Sequence, residues 1–149
     1  MSIKVISGND KYTAINVGKM NEINKHQLKD GTGKVLAEGK AFLGEALKMT
    51  GAQMSINSVP AGQAGPFFHL HKENEEIYFI ISGEGEYQID DIVIPIHEGS
   101  FVRVGPCASH NLKNTGKTPL IFLCVQVRSN SLGDISHDYE ITQTTPKFH

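Results

Sequence analysis

Tight-turn residues punctuate this chain at short intervals, and that spacing leaves little room for long helices. Lys29-Asp30-Gly31, Pro60-Ala61-Gly62, Gly83-Glu84-Gly85, Asp90-Asp91, Glu98-Gly99 and Asn114-Thr115-Gly116 all carry turn chemistry. Short apolar or alternating segments lie between them, which is the rhythm of an all-β sandwich or barrel. Strands are expected near residues 12–17, 53–59, 67–71, 76–82, 85–89, 92–96, 100–104, 110–114 and 120–127. One short helix is expected from Ala41 to Met49, where Phe42, Ala46 and Met49 recur at near-helical spacing. No repeat or linker divides the 149 residues, so one domain over residues 1–149 is expected.

Two of these strands constrain the packing further. Ile77-Tyr78-Phe79-Ile80-Ile81 and Leu120-Ile121-Phe122-Leu123-Cys124-Val125 are apolar on both alternating faces. A strand with one solvated face carries polar residues at every second position. The second face therefore needs a cover. The segment Tyr12-Thr13-Ala14-Ile15-Asn16-Val17 can supply part of it, and a homodimer is expected to supply the rest.

Charge and composition exclude several classes of partner. Fourteen basic and 16 acidic residues leave a formal charge of -2, with no basic cluster of the kind that binds nucleic acid. No apolar run approaches the roughly 20 residues of a membrane span, and Met1-Ser2-Ile3-Lys4-Val5-Ile6-Ser7 lacks the apolar region of a secretory signal. Cys107 and Cys124 are the two cysteines, too few for a disulfide framework. These features point to a cytoplasmic protein with reduced thiols.

The chemistry-bearing segment is Phe67-Phe68-His69-Leu70-His71. On a strand, residues two apart share a face, so His69 and His71 stand side by side with Leu70 turned away, a geometry suited to holding one metal ion. Lys72-Glu73-Asn74-Glu75 reads as a turn, followed by a strand beginning at Glu76. Glu75 and Glu76 are both candidate carboxylate ligands. The face of Glu75 continues as Ile77, Phe79 and Ile81 and is wholly apolar. The face of Glu76 continues as Tyr78, Ile80 and Ser82, and this mixed face favours Glu76. His110 opens a later strand after the Gly105-Pro106 turn.

In this ordered set the sequence resembles the cupin superfamily. His69-x-His71, four residues, Glu76, six residues and Gly83 follow the spacing of the first cupin motif, over about residues 65–83. Gly99, Pro106, His110 and Asn114 follow the second, over about 99–114. The likeness is greatest to small single-domain cupins grouped loosely with sugar-phosphate isomerases. Departures fall in turns. The glycine before the histidines is displaced to Gly62 or Gly65, Ser100 stands where Asp is frequent, and Gly105 and Cys107 stand where Pro and Gly are usual.

The resemblance implies a double-stranded β-helix, or jelly-roll barrel, with one divalent transition metal ion (Zn, Mn, Fe, Ni or Co) on His69, His71, Glu76 and His110. Three imidazoles and a carboxylate leave coordination positions open, as in catalytic or ligand-binding sites. The expected function is a metal-dependent enzyme of isomerase, decarboxylase or oxygenase type, acting on a small polar metabolite. The alternative is a non-catalytic module that binds or senses a small molecule or metal. Phe67 and Tyr78 share faces with the ligands and are candidate substrate contacts. Asn57 is a third, although Gln53, Ser55 and Asn57 form a polar stripe of the kind that ordinarily faces solvent. Arg103 reads as a surface residue, Cys107 as a small turn residue within reach of His110, and Cys124 as core. His26, His97, His137 and His149 read as incidental.

Overall fold

The computed structural model describes residues 2–148; His149 and Met1 lie outside the described residues. Twelve strands form in chain order: β1 (Lys4–Gly8), β2 (Thr13–Asn16), β3 (Gln27–Lys29), β4 (Val35–Glu38), β5 (Lys40–Phe42), β6 (Gln53–Val59), β7 (Asn74–Ser82), β8 (Glu84–Ile89), β9 (Ile92–His97), β10 (Phe101–Val104), β11 (His110–Asn114) and β12 (Leu120–Arg128). A 3-10 helix covers Met20–Lys25 and a single α-turn, α1, covers Gly44–Leu47.

A five-stranded antiparallel sheet in the order β10-β7-β12-β6-β5 packs against a three-stranded sheet in the order β11-β8-β9. The core between them joins Tyr78, Ile80, Val102, Leu120 and Phe122 of the larger sheet to Tyr87, Ile96 and Leu112 of the smaller. The result is a double-stranded β-helix. Hairpins β1–β2 and β3–β4 stand outside these two sheets.

Cross-strand partners point to the same face of a sheet, so register sorts the larger sheet into two surfaces. On the inner surface Gln53, Gln126 and Glu76 align, as do Ser55, Cys124 and Tyr78, and Asn57, Phe122 and Ile80. β5 extends the inner surface by setting Lys40 beside Asn57 and Phe42 beside Ser55. On the outer surface Ala41, Ile56, Leu123, Phe79 and Phe101 form one row. A second core caps one end of that surface: Ile23, Ala41, Leu43, Ile56 and Ile121 are buried, with Ile15, Val17 and Leu47 packed against them. The predicted cover from residues 12–17 is therefore present, reinforced by the 3-10 helix and α1.

Several expectations need correction. The helix expected over Ala41–Met49 shrinks to Gly44–Leu47, because Ala41 and Phe42 are drawn into the sheet by pairing with Ile56 and Ser55. Lys48, at φ 56, ends the turn in the left-handed region. Residues 67–71 are not a strand; they hold a single bridge between His69 and His110. The turn expected at residues 72–75 is shorter, because Asn74 and Glu75 already pair with Arg128 and Val127. β1, β3, β4 and β5 are strands that the turn rhythm did not reveal. His26 is buried rather than incidental, with its Nε2 2.8 Å from the Val17 carbonyl oxygen.

Candidate metal centre

Three chain segments converge on one wall of the barrel interior. β7 carries Glu76 on its inner face, and β11 begins with His110. The segment carrying His69 and His71 is tied across to β11 by backbone bonds between His69 and His110 in both directions, at 3.2 and 2.9 Å. The backbone N–H of Cys107 also donates to the carbonyl of His71 at 2.7 Å. Gly65 begins this crossing. A Cβ there would lie 2.1 Å from Asn111 Oδ1, so Gly65, rather than Gly62, is the close-approach glycine before the histidines.

Glu76 is buried at the centre of the group. Its Oε2 lies 2.9 Å from His110 Nε2 and 3.8 Å from His69 Nε2, and its Oε1 lies 3.2 Å from His71 Nε2. The Tyr78 hydroxyl donates to Glu76 Oε2 at 2.8 Å, and Cys124 Sγ lies 3.4 Å from Oε1. Donor atoms of His69, Glu76 and His110 all lie within 4.8 Å of one another. Ligands about 2.1 Å from a shared ion sit roughly 3–4 Å apart, so this donor set fits a metal ion. His71 stands at the edge of that group, and the Gln126 amide nitrogen lies 2.9 Å from its ring nitrogens.

The electrostatics follow from burial opposed by close partners. Burial alone would raise the Glu76 pKa; hydrogen bonds from His110 and Tyr78 and the nearby His71 outweigh it and bring the pKa to about 2. For His110, burial would lower the pKa, but Glu76 and the Ala108 carbonyl overcome it and the pKa is raised. His110 Nδ1 is 3.0 Å from that carbonyl oxygen, so it must carry a proton, which leaves Nε2 as the metal-facing atom. His69 is lowered, first by burial and then by His110.

The group faces a cavity of about 670 Å³ whose lining includes Asn57, Phe67, Tyr78, Tyr87, Phe122, Cys124 and Gln126. Phe67 lines the mouth with its ring exposed. Tyr78 lines the wall, but its hydroxyl is engaged with Glu76. Asn57 is buried and its Nδ2 donates to Ser55 Oγ at 2.9 Å, so the polar stripe of β6 faces the cavity rather than solvent. Glu75 instead pairs with Arg103 outside the cavity, and Arg103 is exposed as expected. Cys107 is also exposed, with Sγ 3.9 Å from the Lys72 carbonyl oxygen. Cys124, Gln126, Tyr87 and Lys40 are cavity residues that were not singled out from the sequence. The alternation Phe122, Cys124, Gln126 was the available signal, since its one long polar member shares a face with Cys124.

The fold and this His/Glu group define a class that comparison with known proteins makes specific. The family model described as Cupin domain matches residues 56–126. A cupin protein from Bacteroides fragilis is 35% identical with a TM-score of 0.62, covering 83% of this chain and 99% of that one. A predicted oxalate decarboxylase from Thermotoga maritima is 26% identical with a TM-score of 0.55, covering 76% and 99%. An oxalate-binding protein from Thermotoga maritima is 39% identical over 57 residues, 38% of this chain and 47% of that protein. The chain spans about half the length of the curated relatives it matches. The chain belongs to the cupin superfamily. Among the described residues, no helix is long and apolar enough to cross a membrane.

Proposed function

We propose that this cupin holds one divalent transition metal ion on His69, His71, Glu76 and His110 and acts as a metal-dependent enzyme on a small polar metabolite. The observation that carries the reading is a buried carboxylate with imidazole nitrogens 2.9, 3.2 and 3.8 Å away, on the wall of a 670 Å³ cavity. His71 is included because its Nε2 lies 3.2 Å from Glu76 Oε1. The donor set accepts Zn, Mn, Fe, Ni or Co. Such an ion supplies Lewis acidity to a ligand oxygen. Phe67, Tyr78 and Asn57 shape the space around that ligand, and isomerase, decarboxylase and oxygenase chemistries all suit the arrangement.

A non-catalytic binding role is the second reading, and one observation favours it. Outside the His/Glu group, the buried titratable side chains of the cavity are Tyr78, Tyr87 and Cys124. Burial is the leading influence on each and raises all three, Cys124 to about 12. None of them exchanges protons readily near neutral pH, so acid–base help must come from the metal group or the ligand.

The reading also includes a homodimer, supported by the exposed Phe101 at the open end of the outer sheet surface, and a cytoplasmic setting, supported by two free thiols. Metal analysis of purified protein, followed by a metabolite screen for binding and turnover, tests the functional claim. About one metal per chain is expected, abolished in the His69→Ala/His71→Ala double variant. Stoichiometric metal retained by that variant sinks the assignment, and a ligand bound without turnover selects the binding role.

A further inference from the structure

Part of the cavity lining comes from residues before position 56, outside the segment that matches the family model. β4 and β5 bring Leu36, Glu38, Lys40 and Phe42 to its lining. Register makes the placement of Lys40 specific. It pairs with Asn57 on the inner surface of the sheet, while its neighbour Ala41 turns to the outer core. Phe42 shares the inner surface, and Lys40 Nζ lies 4.9 Å from the centre of its ring.

The charges around this mouth are few. Outside the His/Glu group, Glu38 and Lys40 are the only formally charged residues in the lining described. Glu38 is exposed and accepts a hydrogen bond from Gln27 Nε2 at 3.4 Å. Lys40 is half-buried and has no carboxylate partner among the described residues. A half-buried ammonium without a counter-ion favours an anion beside it.

Much of the remaining lining is apolar, with polar side chains such as Ser55, Asn57 and Gln126 interspersed. Leu36, Phe42 and Phe67 are all exposed there, and Phe122 lies deeper. The volume of about 670 Å³ falls within the roughly 300–1,000 Å³ of sites for drug-sized ligands. An acid of two or three carbons leaves most of that space and most of that apolar surface without contacts. The hydroxyl of Tyr87, fully buried at the cavity wall, is the one buried side-chain oxygen or nitrogen among the described residues without a hydrogen-bond partner.

We infer that Lys40 is a specificity-determining residue of the cavity, selecting a carboxylate ligand with an apolar body by pairing with its carboxylate while Leu36, Phe42 and Phe67 enclose its hydrocarbon part. This inference rests on the metal-site reading for the ligand's other contacts, but the Lys40 contact itself does not require the metal. The ligand class follows from one cation without a carboxylate partner among the described residues, beside exposed apolar side chains of the lining.

Two probes of nearly equal size separate charge from shape: phenylacetate and phenylacetamide. Their affinities for the full chain are measured by calorimetry or ligand-detected NMR, with and without loaded metal, and metal content is determined on the same samples. Phenylacetate should bind about tenfold more tightly than phenylacetamide. Lys40→Met should erase that preference while leaving phenylacetamide affinity, thermal midpoint and metal content unchanged, and Lys40→Arg should restore it. Oxalate should bind more weakly than phenylacetate to the metal-free protein. Equal affinity for the two probes, a preference that survives Lys40→Met, no saturable binding of either probe, or tighter oxalate binding to the metal-free protein would each overturn the inference. A wild-type protein that takes up no metal but keeps the Lys40-dependent preference refutes the metal reading and supports this one.

Discussion

Glu76 and His110 depend on each other. Burial opposes a charge on either, and across 2.9 Å each favours the charged form of the other. For Glu76 the folded pKa, about 2, lies below its ordinary value of 4.5. A depressed carboxylate stabilises the fold above its unfolded pKa and loses that contribution as pH falls through the folded value. Chelator-treated protein should therefore lose thermal stability between pH 4.5 and about 2. Glu76→Gln should flatten that acid slope. An unchanged slope in the variant, followed by circular dichroism against temperature at each pH, would show that Glu76 is not held as described.

At this scale the site was largely legible. Spacing, and the mixed face that separates Glu76 from Glu75, single out His69, His71, Glu76 and His110, and the structure brings a nitrogen of each histidine within 3.8 Å of the Glu76 carboxylate. Their partners were less legible because they arrive through tertiary register. Cys124 reads as core from its apolar neighbours, and only the pairing of β12 with β7 brings it beside Tyr78 and near Glu76. Asn114 shows the opposite case. Its motif position marked it, and the structure supplies the reason: its Nδ2 donates to the carbonyls of Val59 and Thr118, both at 2.8 Å, and its Oδ1 accepts from Gly116 N–H. One buried amide thereby closes the β11–β12 turn against the end of β6.

At the level of elements, the strands with clean turn signals on both sides were placed closely. β6 and β11 have the expected bounds, and β8, β9, β10 and β12 differ by a residue at an end. Failures cluster where neighbours decide. The segment 67–71 has strand-like composition but meets β11 at a single bridge. The stripe Gln53, Ser55, Asn57 looks solvated, yet it lines the cavity. Polar alternation reports a wet face or a polar interior equally well, and only the opposing sheet distinguishes them.

Turn chemistry at one element junction yields a stability prediction. Cys107 adopts φ 65 in the turn leading to β11, a left-handed conformation that side chains with a Cβ disfavour. Glycine was noted as usual at this position. Its thiol donates to the Lys72 carbonyl oxygen at 3.9 Å and is exposed. Cys107→Gly should therefore stabilise the protein by about 0.5–1 kcal/mol, the strain relieved less the added freedom of the unfolded chain. Urea denaturation measures it. A loss of stability or of bound metal would instead assign the thiol a role at the neighbouring His110.

For the whole molecule, the exposed end of the outer sheet surface is where the proposed homodimer would pair. Along the row Ala41, Ile56, Leu123, Phe79 and Phe101, burial falls from one end to the other: Ile56 is 2% exposed beneath the N-terminal elements, and Phe101 is 69% exposed at the far edge. Phe79 and Phe101 stack with ring centres 4.4 Å apart, so the exposed end is an organised apolar surface rather than a stray side chain. The residues around β2, the 3-10 helix and α1 pack on the covered end. Among the described residues, the chain's C-terminal stretch past Arg128 forms no strand or helix and exposes Leu132, Ile135, Tyr139 and Ile141. Burying each such large side chain stabilises by roughly 1.5–3 kcal/mol, and two-fold pairing buries both copies of the β7–β10 surface at once, with the tail available to cross the partner. Light scattering should report a mass near twice 16.3 kDa. Phe101→Glu should shift that mass to a single chain while leaving the circular dichroism spectrum intact, because Phe101 lies outside both cores. A wild-type monomer at micromolar concentration would show that the β10 end of the sheet stays open to solvent.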